Sequence, residues 1–131
     1  MQTENQSGII TRAAAHRVGD TVATLLALLK ERGITLFALV DHSGEAATVG
    51  LRMPPTKLLL FGNPAVGTPV MLAAPTSAID LPLKLLVWED ADGNTWLTYN
   101  DPTWLQERHH LPAELLRHVS VVGQLADRAA L

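Results

Sequence analysis

Between Val18 and Val40 the hydrophobic pattern changes period, and that change most limits what this chain can fold into. Val18, Val22, Leu25, Leu26 and Leu29 recur at helical spacing, while Lys30, Glu31 and Arg32 crowd what would be the last turn, where the negative helix end favours cations. Gly33 supplies a left-handed cap. ITLFALV (Ile34–Val40) follows at once, a continuous apolar run of strand length that predicts a strand buried on both faces. A helix passing directly into such a strand points to a fold built from both.

The remaining chain keeps that alternation. Gly8–Ala14 predicts a first strand, and SGEAATVG after Asp41-His42 a short helical turn ended by the prolines of MPP. Thr56–Phe61 is another buried strand, and Pro69–Ala74 a short helix with Thr68 as its N-cap. Leu83–Trp88 and Thr95–Tyr99 flank Asp92-Gly93, a hairpin signal. Asp101-Pro102 opens a helix running to about His109, and Pro112 opens the last one, with Leu115, Val119, Val122, Leu125 and Ala129 on one stripe. The expected fold is α+β, a compact single domain over residues 8–131 behind a polar tail at 1–7. Its mixed sheet has about five strands, in the order β-α-β-α-β-α-β-β-α-α, with helices mainly on one face. If the first four strands are parallel, Asp41-His42, Gly62-Asn63 and Glu89-Asp90 meet at one sheet edge, beyond the strand ends where ligands bind in open sheets.

Composition closes off several functions. In 131 residues, 47% hydrophobic and 18% charged with a net charge of -3, the ten Lys and Arg never gather on one face, so nucleic acid is not an expected partner. The absence of cysteine removes thiolate chemistry and disulfides. MQTENQSG carries no signal-peptide pattern, and the apolar runs are too short to span a bilayer; a cytoplasmic protein without membrane contact is expected.

Each candidate for chemistry has a plainer structural reading. FGNPAVGTPVM has the glycine separation of a Walker loop, but Thr68-Pro69 stands where Lys and Ser/Thr are required, leaving a helix start that could hold an anion or simply a capped turn. Asp41-His42 could form a general base, yet Asp at a strand end is also a common helix cap. Glu89, Asp90 and Asp92 could work as paired carboxylates or form a solvated hairpin tip. Trp88, Trp96, Tyr99 and Trp104 could make a platform or fill a core. His109-His110 is not expected to hold a metal, because adjacent helical residues diverge by about a hundred degrees. No cofactor loop or metal-ligand spacing is present.

The run from Pro54 to Leu111, with FGNP and GTP, DLPLKLLVWED, the DG hairpin and YNDP, resembles the Domain of Unknown Function 302 family, as does ITLFALVDHSGEAATVGL upstream. The resemblance extends from about Ile10 to Leu111. It implies a compact α+β domain with no established reaction, and characteristic positions that include Asp41, His42, Asn63, Thr68, Glu89 and Tyr99.

Those six residues are the expected ligand-binding set, lining a polar cleft at the sheet edge of a small-molecule or anion-binding domain. Two alternatives accompany it. One is a homodimeric interaction module, its contact marked by a surface Trp96 or Trp104; the other is an acid/base enzyme using Asp41-His42 with Glu89.

Overall fold

A computed structural model describes residues 2–4, by backbone alone, and residues 7–131. Six strands and five α-helices follow in the order β1 (Gln2–Glu4), β2 (Ile9–Ala14), α1 (Val18–Glu31), β3 (Thr35–Asp41), α2 (His42–Thr48), β4 (Thr56–Gly62), α3 (Pro64–Ala73), β5 (Leu83–Glu89), β6 (Thr95–Asn100), α4 (Pro102–His109) and α5 (Val121–Ala129). Two 3-10 segments, Pro75–Asp80 and Ala113–His118, precede β5 and α5. The expected α+β organisation stands. Of the predicted tail, Gln2–Glu4 forms β1 against β2; residues 1, 5 and 6 lie outside the described residues.

The sheet runs β1-β2-β6-β5-β4-β3, and every neighbouring pair is antiparallel. This differs from the mixed sheet expected. Helix-containing connections were long enough to cross over, but α2 and α3 instead return the chain to the sheet end it has just left, making β3 to β6 a meander. Only α1 carries the chain across, from β2 beside β6 to β3 at the far edge. Long connections permit parallel pairing without requiring it.

Alternation along the strands sorts side chains between two faces. Leu59 and Phe61, then Leu83, Leu85 and Val87, then Leu97 and Tyr99 point inward and are buried. They meet Leu25 and Leu29 of α1 and Val122 and Leu125 of α5 in one core. Full burial of each such side chain is worth about 1.5–3 kcal/mol. Gly33, at φ 67, ends α1 in the left-handed region as expected. Trp104 of α4 packs so closely on Gly8 that a Cβ there would lie 2.2 Å from the indole.

The other face carries no comparable cover. Leu58, Leu60, Leu86, Trp88, Trp96 and Thr98 form its middle and are half-buried. Trp88 and Trp96 stack with centroids 6.4 Å apart, and Trp88 Nε1 donates to Thr98 Oγ1 at 2.8 Å. Lys84 also belongs to this row; partial burial lowers its pKa, an effect Asp80 opposes.

β3 is not buried on both faces. It is an edge strand, bulged between Leu36 and Ala38, with Phe37 52% exposed. Its apolar run is continuous because both faces carry apolar side chains, Leu36 and Leu39 toward the helical side and Ala38 and Val40 toward the other, yet Leu36 and Leu39 remain 38% and 37% exposed at the sheet edge.

Candidate functional site

Two ends of the sheet hold the residues in question. Asp41 pairs with Lys57 near the start of β4, whereas Gly62, at its end, pairs with Thr35. Five residues of strand separate these positions, about 17 Å at the usual rise. The Gly62-Asn63 corner therefore lies at the opposite end from Asp41-His42 and Glu89-Asp90, and the common rim expected from parallel crossovers does not exist. Antiparallel reversal of β4 is the cause.

At the upper end, Asp41 is the N-cap of α2. Its Oδ1 accepts from the Ser43 hydroxyl at 2.6 Å and the Gly44 N–H at 2.9 Å, and these two bonds, in that order, hold its pKa below the ordinary aspartate value. Ser43 Oγ in turn accepts from the Thr56 N–H at 3.1 Å. His42 is exposed, and Glu89 ends β5 two strands away, about 10 Å to the side. The upper pair thus shares an end of the sheet without forming an acid/base couple. Asp90 organises the hairpin: its carboxylate accepts from Trp96 Nε1 at 2.8 Å and from the backbone of Asn94 and Asp92, and the Trp96 bond leads in lowering its pKa. Tyr99 belongs to the core, 6% exposed beside Gly123.

At the lower end, Asn63 rather than Thr68 caps the helix. Asn63 Oδ1 accepts from the Ala65 N–H at 3.0 Å, Pro64 occupies the first turn, and Pro69 lies inside α3. FGNPAVGTPVM is therefore a strand end, a cap and most of a helix. Sequence reading placed the start five residues late because Thr68-Pro69 carries the same signature as Asn63-Pro64.

Beneath α3 opens a cavity of about 540 Å³, within the range of small-molecule sites. Phe37, Phe61, Met71, Leu83, Val119 and Val121 give it apolar walls, and Asn63 and Thr68 line it as well. Arg32 from the end of α1 and Arg117 and His118 from the second 3-10 segment complete the lining, which contains no Asp or Glu. Arg32 is steadied by donating to Gln124 Oε1 at 3.0 Å. Of the six expected ligand residues, then, the structure brings together Asn63 and Thr68 and leaves Asp41, His42, Glu89 and Tyr99 elsewhere. The three basic lining residues escaped sequence reading: they come from segments far apart in the chain, and Arg32 had a sufficient explanation as a helix-end cation.

A second polar group has no signature in the sequence. His109 Nε2 lies 2.5 Å from Asp80 Oδ2, and Nδ1 lies 2.9 Å from the Thr76 hydroxyl. Arg108 joins Asp80 at 3.2 Å and stands over the Trp104 ring. With Asp80 accepting from Nε2–H, Nδ1 accepts from Thr76, the polarity of a nucleophile-base-acid relay. The space beside His109 is only about 10 Å³, room for one water at most. The network fastens the first 3-10 segment to α4. His110, by contrast, is exposed in the left-handed C-cap, so the two histidines point apart.

A family model described as a domain of unknown function, DUF302, matches residues 10–128. The crystal structure of an uncharacterized conserved DUF302 protein from Bacillus stearothermophilus superposes with a TM-score of 0.76, covering 94% of this chain and 95% of that one at 19% sequence identity. The chain is also 45% identical over 105 residues to a fluoride-specific ion channel, FluC 1, of Brucella suis biovar 1 (strain 1330), and equally to FluC 2 of Brucella melitensis biotype 1. Those matches cover 80% of this chain but 41% and 39% of the relatives, so the chain spans about two fifths of their length. Among the described residues no helix is long and apolar enough to cross a membrane.

Proposed function

The chain belongs to the DUF302 family, and we propose that it is a binding domain for a small organic anion with an apolar body. The observation that carries this reading is the lining of the large cavity: apolar walls, with Arg32, Arg117 and His118 and no carboxylate. Apolar burial would provide affinity, and the cations would select for a carboxylate-like end. This differs from the polar cleft expected at the sheet edge, since polar groups form the smaller part of the wall.

The fluoride-channel relatives suggest a domain that accompanies other machinery. Fluoride itself suits this cavity poorly. A small, strongly hydrated ion gains nothing from about 540 Å³ of mostly apolar space. The alternative expectation, a module that pairs with itself, is compatible with ligand binding, because the cavity lies on the helical side of the sheet.

Thermal denaturation with octanoate, 1-octanol and fluoride tests the proposal, because a ligand bound by the native state alone raises the melting temperature. Octanoate should raise it, 1-octanol less, and fluoride not at all; Arg117→Ala should narrow the gap between the first two. Absence of any shift with octanoate and 1-octanol refutes a ligand of this class.

A further inference from the structure

We infer that the uncovered sheet face is the contact through which two copies of this chain pack, sheet against sheet. Strand register places Thr11 and Ala13 of β2, Trp96 and Thr98 of β6, Leu86 and Trp88 of β5, Leu58 and Leu60 of β4, and Ala38 and Val40 of β3 in one outward row. Among the described residues of that row Lys84 is the single charge. The polar groups at its centre are already satisfied internally: Thr98 Oγ1 meets Thr11 Oγ1 at 3.0 Å and accepts from Trp88 Nε1, while Trp96 Nε1 is held by Asp90. Covering the face therefore strands few hydrogen-bonding groups, and an isologous contact opposes no dense set of like charges.

The area suits a second copy. Five strands at about 4.8 Å spacing and six residues of about 3.4 Å rise project about 500 Å². Side-chain relief adds to that. The projected area alone is more than half of the roughly 800 Å² that each partner buries in a standard interface. Two sheets stacked about 10 Å apart make a sandwich, the usual solution for an apolar sheet face. Pairing along the β3 edge is disfavoured by its bulge at Leu36/Ala38, which interrupts the run of free backbone groups. A lipid surface is disfavoured by the net charge of -3 and the lone lysine on the face.

Sedimentation and light scattering across the micromolar range test the inference. The wild-type chain should run at twice its mass. Leu86→Arg and Thr98→Arg, both on the outer row and away from the core, should be folded monomers by circular dichroism, while Phe37→Asp at the β3 edge should remain a dimer. A wild-type monomer overturns the inference without recourse to variants, and one that floats with phosphatidylglycerol vesicles replaces it with lipid docking. A dimer that survives both arginine substitutions, or dissociates only with Phe37→Asp, overturns the face-to-face contact.

Discussion

Asp90 gathers an indole N–H and two backbone N–H groups onto one carboxylate at the tip of the β5–β6 hairpin. These bonds favour the ionised form, so the folded-state pKa is below the unfolded one. The linkage sign follows: the stabilisation is fully present above the unfolded value, near 3.9, and disappears as pH falls through the lower folded value. Asp90→Ala should therefore melt below wild type at neutral pH, with the gap closing in acid below about pH 4. Thermal scans from neutral to acid pH, followed by tryptophan fluorescence, check this through Trp96 itself. Asp41 is lowered for the same kind of reason, with Ser43 as its leading partner. Both aspartates were legible as candidates for chemistry or for turns. The turn explanation accounts for their bonds.

Elements are more legible in the sequence than their edges. The amphipathic stripe of α1, its glycine stop and the DG hairpin specify local structure through neighbouring residues alone, and all three stand in the fold. The start of α3 is ambiguous in the sequence because two Pro-containing capping signals lie five residues apart, and only tertiary packing decides between them. Asn63 now has two claims on it, as cap and as cavity wall. Substitution separates them. Asn63→Ala should cost about 1 kcal/mol in chemical denaturation, whereas Asn63→Asp, an equally good cap, should leave stability nearly unchanged. The aspartate should nevertheless weaken octanoate binding, since it places a negative charge beside Arg32 and Arg117. Calorimetric titration of both variants measures the second effect.

For the whole molecule, the decisive quantity was strand direction, which no local pattern encodes. Connections of 14 residues between β3 and β4 and 20 between β4 and β5 suit a crossover or a return equally well. Choosing the crossover would bring three turns to one rim; the return disperses them. Arg32, Arg117 and His118 converge only once that direction and the placement of α1 are known. Because the upper corner is about 17 Å away, Asp41→Asn and Glu89→Gln should leave octanoate affinity unchanged, which titration calorimetry checks. The partnership of β2 with β6 has a different consequence. Thr11 meets Thr98 across 87 positions of sequence. On the ribosome the nascent β2 has only the short β1 beside it until the whole meander has emerged, so its inner Ile10 lacks the neighbouring Tyr99 of β6 until then. Chaperones that bind short apolar strands would therefore find β2 open until β6 has been made.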